Sequence, residues 1–272
     1  MNSTIGLDVS KFIRNCLPSP NMERDWDLLA AGITRVFDPK SSFPPDKDLR
    51  EDWWKVGYQD CTGSCVGWAT ADGVLRWHFV KAGRLAPDEP LSVRYIWMAA
   101  KEMDNYTKRP TSFIEIDGTS LKTALDIARK YGVVTNSVLP FEFPPGSLVL
   151  YTTGNENAFY ILAAKLRISG YFNLGGNLDE WRSWIANKGP VLVRLDVDTS
   201  WDNATASHGN LDVYYPPDKT QPTGHCVALV GYTPDRFIVR NSWGTNWGDN
   251  GFGYASNDYA SKAITEAYGV VL

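Results

Sequence analysis

A nucleophilic thiol needs a way to shed its proton, a base to take it, and donors for an oxyanion. The stretch YQDCTGSCVGWATADG, residues 58–73, offers the first. Cys65 stands where an apolar helical period begins, behind Ser64 as an N-cap, and a helix N-terminus favours thiolate. Gln59 lies six residues earlier, across a glycine-containing loop, so its amide could face an oxyanion beside the Cys65 N–H. Three histidines are available as base. His78 falls inside the helical run and reads as a packed or surface side chain. His208 sits in TASHGNLD without an obvious partner. His225 opens the run GHCVALVGY behind Gly224, which leaves room beside the ring. Asn241 follows sixteen residues later in RNSWGTNWGDNGFG. Its amide oxygen could fix the imidazole tautomer, and Trp243 could shield that bond from water.

The remaining cysteines are Cys16, Cys61 and Cys226. A zinc site of Cys61, Cys65, His225 and Cys226 has suitable ligand types. Adjacent strand residues point to opposite faces, however, and the spacing is not a Cys-x-x-Cys knuckle. No metal and no organic cofactor is therefore expected, and Cys226 reads as a small core residue. For Cys61 a free thiol ranks first, a bridge to Cys16 second and a bridge to Cys65 third. Four cysteines in 272 residues are not a disulfide framework.

Helices and then strands must hold these groups. Helical periods cover residues 65–82, 92–102, 119–131, 155–166 and 178–186, with Gly83 and Gly132 as stops. Gly67 and Gly73 inside the first mark close packing. From Pro190 the pattern becomes short β-branched runs: PVLVRLDV, a hairpin of HCVALVGYTP and DRFIVRNSW, then GFGYAS and AYGVVL. The class is α+β in two lobes. Residues 1–46 form a turn-rich extension with a short helix near 27–33, ending in the breaker Pro44–Pro45. Residues 47–150 make a helical lobe carrying Cys65, and 151–272 a β-rich lobe carrying His225 and Asn241, with the site in the cleft between.

Net charge −4 and a pI near 5.4, with no basic run, exclude the usual nucleic-acid binder. No apolar run is long enough to span a membrane. The first twenty residues lack the charged and apolar regions of a secretory signal, which leaves the compartment open.

The sequence resembles the papain-like cysteine peptidases. The blocks are YQDCTGSC, GHCVALVGY and RNSWGTNWGDNGFG, in the order Gln, Cys, His, Asn. DGTSLKTALDIARKYG looks like the segment bearing the substrate-backbone glycine. MERDW and DLR are similar to the bacterial branch, that of xylellain. The resemblance implies a papain-like two-lobe fold and a monomeric endopeptidase acting on peptides or proteins. It makes Cys65 the nucleophile, His225 the base and then acid, and Asn241 its orienter. Gln59 and the Cys65 N–H become the oxyanion hole. Gly118, Thr119, Gly224 and Trp243 would line the substrate cleft. An acyl transferase or peptide ligase using the same thioester, and a non-catalytic peptide binder, are the alternatives. The sequence departs from the family in three places. Thr62 stands where a cysteine is common, so that bridge is absent. Val66 replaces the usual Trp. His225 lies 160 residues after Cys65, beyond the roughly 130–150 usual in the family, which calls for an insertion near KRPTSFIEID or residues 148–157. The extension could lie across the cleft or pack as an arm on a lobe.

Overall fold

The computed structural model describes residues 8–26, 43–106, 112–113, 118–141, 151–152, 156–218, 220 and 223–272. The helix expected near 27–33 lies outside them.

The helical period at Cys65 forms as α1 (Cys65–Gly67), passes through a π-helical stretch (Trp68–Leu75) and resumes as α2 (Arg76–Lys81). The wide turn is explicit where the Arg76 N–H bonds the Ala71 carbonyl. Both glycines mark contacts, as their positions suggest. A Cβ at Gly67 would lie 2.7 Å from the Val93 carbonyl oxygen, and one at Gly73 would lie 3.1 Å from the Ala228 Cβ. Ser64 departs from expectation: its side chain makes no cap bond, and its hydroxyl pairs with the Thr62 hydroxyl at 2.6 Å. Helix α3 (Val93–Tyr106) is capped by the Ser92 hydroxyl, which accepts from the Tyr95 N–H at 3.0 Å. Helix α4 (Leu121–Lys130) is capped by Ser120 and buries Leu121, Ala124, Leu125 and Ala128 on one face. Helices α5 (Glu156–Ala163), α6 (Leu178–Asn187) and α7 (Asn257–Ala263) complete the set among the described residues.

The β-rich half is one eight-stranded sheet with the order β4-β10-β5-β7-β8-β9-β6, while β1 adds to β7. Its strands are β1 (Lys47–Asp48), β4 (Gly170–Asn173), β5 (Val191–Asp196), β6 (Asn210–Leu211), β7 (Gly224–Tyr232), β8 (Arg236–Arg240), β9 (Phe252–Ser256) and β10 (Ile264–Val271). The β7–β8 hairpin is antiparallel, as its two β-branched runs predict. Strand β7 is buried along its whole length, which is why GHCVALVGY is continuously apolar after the histidine. Two short strands, β2 (Ser112–Phe113) and β3 (Tyr151–Thr152), pair with each other. They belong to the two stretches singled out for an insertion, most of whose residues fall outside the described set.

One ion cluster ties the central helix to the sheet. Arg240, at the end of β8, bonds the Asp72 carboxylate and donates to the carbonyls of Trp54 (2.9 Å) and Lys55 (2.6 Å). Arg76 meets the same carboxylate at 2.9 Å. Replacing Asp72 by Ala leaves two buried guanidiniums uncompensated. The expected loss of stability is about 3–5 kcal/mol, read as a lowered denaturant midpoint at unchanged m-value.

Candidate active site

His225 is the second residue of β7, and Asn241 follows the last residue of β8. The hairpin brings them together: His225 Nε2 lies 2.9 Å from Asn241 Oδ1. That oxygen also accepts from the Ser242 N–H at 2.8 Å, which fixes the orientation of the amide. An acceptor facing Nε2 requires Nε2 to carry the proton. Nδ1 is then the basic nitrogen, and it has no hydrogen-bond partner among the described residues. Three rings keep water away. Trp243 lies 5.0 Å from the imidazole, Trp201 meets it edge-on at 5.6 Å, and Trp247 stacks behind Trp201 at 4.8 Å. Trp243 thus sits where the sequence places a shield. Trp201 was not legible, because nothing in DTSWDNA marks it.

Gln59 is buried and oriented from both sides. Its Oε1 accepts from the Ser242 hydroxyl at 2.8 Å, and its backbone N–H bonds the Ser242 carbonyl at 2.8 Å. The amide donors are therefore aimed the other way, at the carbonyls of Thr62 (3.0 Å) and Ile13 (3.4 Å). Ser242 links the Gln59 loop to the Asn241 segment, a role the sequence did not disclose.

Cys65 is fully buried at the start of α1. Backbone N–H groups of Cys226, Val66 and Asn15 favour its thiolate form. The expectation of a thiol pKa lowered by a helix terminus is reversed here. Burial pushes it well above its usual range, nearby Cys16 adds to this, and the three N–H groups only partly oppose it.

The desolvation has a visible source, the N-terminal segment. Phe12 stacks on Trp243 with centroids 4.7 Å apart and planes 4° from parallel. Asn15 passes over Cys65. Cys16 donates its N–H to the Gly224 carbonyl at 2.8 Å, and Leu17 donates to the Thr119 carbonyl at 3.0 Å. The Ser19 N–H reaches Glu266 at 2.9 Å. Gly118 and Gly224 are glycines because backbone comes this close. At Gly118 (φ +81°) a Cβ would lie 2.9 Å from the Asn15 amide nitrogen, and at Gly224 it would lie 2.2 Å from the Cys16 oxygen. Gly118, Thr119, Gly224 and Trp243, the four residues proposed for a substrate, are thus all in contact with residues 12–17.

The cysteines are all free: Cys61 exposed, and Cys16, Cys65 and Cys226 buried. Cys16 and Cys61 are both free, one buried and the other exposed, so the Cys16–Cys61 bridge considered above is not formed here. His78 is packed, at 7% exposure. His208 lies in a turn with φ +52°, apart from the site.

Buried imidazoles make the fold acid-sensitive. Burial pushes His225 down to about 4, against the opposing Asn241 bond, and His78 also to about 4. Unfolded histidines titrate near ~6.5, so between those values the unfolded chain binds more protons. Stability is complete above about pH 6.5 and falls as the pH drops towards 4, by roughly 3 kcal/mol for each histidine. Denaturant midpoints at pH 7, 5 and 4 check this, and His78→Gln should flatten part of the slope.

The profile described as "Papain family cysteine protease" matches residues 43–270. The chain belongs to the papain family. Bovine (Bos taurus) cathepsin S is 27% identical over 234 residues, 81% of this chain and 62% of its own length. Papain from Carica papaya is 31% identical over 137 residues, 48% of this chain and 34% of its own. The chain thus spans about three fifths of the length of cathepsin S. In three dimensions, xylellain, a cysteine protease from Xylella fastidiosa, superposes with a TM-score of 0.74 at 20% identity, covering 96% of each chain. Digestive procathepsin L2 from Tenebrio molitor superposes at 0.67 and 20% identity, over 96% of this chain and 79% of its own. The α+β two-lobe fold of the papain family is therefore that of this chain. Among the described residues no helix is long and apolar enough to cross a membrane.

Proposed function

We propose that this papain-family chain is a cysteine endopeptidase held latent by its own N-terminal segment. The observation that carries the reading is the 2.9 Å bond between His225 Nε2 and Asn241 Oδ1, which leaves Nδ1 as the base. Cys65 attacks a peptide carbonyl, and His225 accepts the thiol proton and returns it to the leaving amine. Gln59 and the Cys65 N–H stabilise the oxyanion, and water then hydrolyses the thioester. Asn241 holds the imidazole tautomer. Gly118, Thr119 and Gly224 pair with substrate backbone, and Trp243 offers a flat apolar wall. The helical lobe, 47–150, supplies the nucleophile and the β-rich lobe, 151–272, the base. The substrate is a peptide or protein segment bound by one chain acting as a monomer, with no need for nucleic acid.

Residues 12–19 support latency, because they use the groups a substrate would need. The Gly224 and Thr119 carbonyls accept from the segment, and Phe12 covers Trp243. The proteins superposed above include a proform, procathepsin L2 from Tenebrio molitor, consistent with a covered state.

The test is Gln59→Ala in a chain beginning at Pro45, assayed on an internally quenched peptide under reducing conditions. kcat should fall about 10^2–10^3-fold with KM little changed, as for loss of an oxyanion donor. An unchanged kcat in the variant would remove Gln59 from the hole, and no hydrolysis by the parent chain would remove the endopeptidase reading.

A further inference from the structure

The cleft segment carries Cys16, which lies on the face of β7 that bears Cys226, and the catalytic reading uses neither thiol. Cys16 is clamped on both sides of its peptide: its N–H bonds the Gly224 carbonyl at 2.8 Å, and its carbonyl accepts from Arg194 Nε at 3.0 Å. The segment therefore rides directly on β7, two residues before Cys226. By the two-residue period of a strand, Gly224 and Cys226 face the same side, the side on which Cys16 lies. Arg194, the cross-strand partner of Cys226, presents its side chain on that same face and reaches the Cys16 carbonyl. Both thiols are buried, and the Cys16 Sγ donates to the Leu17 carbonyl at 3.8 Å. The Cys65 thiol is buried at the start of α1, and Cys16 lies near it as well.

We propose that Cys16 and Cys226 are a redox cross-link site, whose disulfide fastens residues 12–19 over the cleft and leaves Cys65 outside the bond. The proposal rests on reading that segment as a cover. The oxidant is a small disulfide such as oxidised glutathione. When the segment swings out, the Cys16 thiolate attacks one glutathione sulfur, and the first glutathione thiolate leaves. On return, the Cys226 thiolate attacks the Cys16 sulfur and expels the second. Two electrons pass to the oxidant, and the two thiol protons end on the two released glutathione thiolates. A dithiol reverses the sequence and frees the segment. While the segment is closed, burial holds the Cys226 thiol protonated, so exchange proceeds through the open state.

The experiment uses the full chain, wild type and Cys65→Ala side by side, so that glutathione on the nucleophile does not confuse the reading. Each is equilibrated at reducing and oxidising glutathione ratios, alkylated, and mapped by mass spectrometry. Hydrogen exchange of the Cys16 and Leu17 amides reports opening. The expected result is a Cys16–Cys226 linked peptide, two hydrogens lighter, with exchange slowed at least about tenfold on oxidation. Cys16→Ser should lose both effects. A Cys16–Cys65 link, glutathione adducts alone, or a link that leaves exchange unchanged would overturn the proposal. Mapping needs no catalysis, so a peptidase reading that failed would leave this result standing, and the reverse holds equally.

Discussion

Cys65→Ala is expected to lower kcat on a small peptide by on the order of 10^6-fold, measured on the chain beginning at Pro45. The magnitude follows from what remains. The Gln59 amide and the Asn241-oriented imidazole would be intact, yet neither can form the covalent bond. Nucleophile and base act as a unit, so His225→Ala should cost about as much and the double variant little more. Truncating the buried Cys65 to Ala removes a single sulfur atom, so thermal unfolding should change little. Cys61→Ala is the control: an exposed thiol in the same loop whose loss should leave kcat as it was. Residual activity within tenfold of the parent would place the nucleophile elsewhere.

The second large effect is in the full-length chain. Phe12→Ala should raise hydrolysis by on the order of 10^2-fold. The Phe12 ring is 3% exposed and stacked on Trp243, with Tyr58 edge-on at 5.9 Å. Truncating such a ring costs about 3 kcal/mol or more. The closed state bears that cost, because the open state does not use the contact. With roughly tenfold per 1.4 kcal/mol, the open fraction rises about a hundredfold. The rise should appear in kcat/KM at low substrate, and a chain beginning at Pro45 should set its ceiling. Equal activity of all three forms would make the segment an arm rather than a cover.

The residues proposed for the site could be named from sequence because each carries chemistry in its type and sits in a motif with fixed spacing. Gln59, Cys65, His225 and Asn241 were named without coordinates. Most helices and strands followed from apolar period. What the sequence hid depends on contacts between distant residues. The π-helical stretch has the same apolar residues as an α-helix would, and its extra residue per turn is a matter of packing near Asp72 and Arg240. Ser64 looked like an N-cap by type, yet its hydroxyl found Thr62 instead. Strand β4 is half-exposed and mixed in character, so no alternation announced it. Ser242 and Trp201 orient and dry the site through partners far along the chain. The placement of Phe12 and Cys16 was hidden for the same reason: their partners, Trp243 and Cys226, are separated from them by more than two hundred residues, and turn-rich composition gives no hint of where a segment lies down.

The central claim is a competent thiol–imidazole site beneath a removable cover. Its most direct test is labelling with a peptidyl epoxide that traps active-site thiolates, followed by peptide mapping, on the full chain and on a chain beginning at Pro45, both reduced. The account predicts modification of Cys65 alone, at least about tenfold faster in the shortened chain, since displacing the segment removes the burial that holds the thiol protonated. A shortened chain that keeps its fold yet leaves Cys65 unmodified would contradict it.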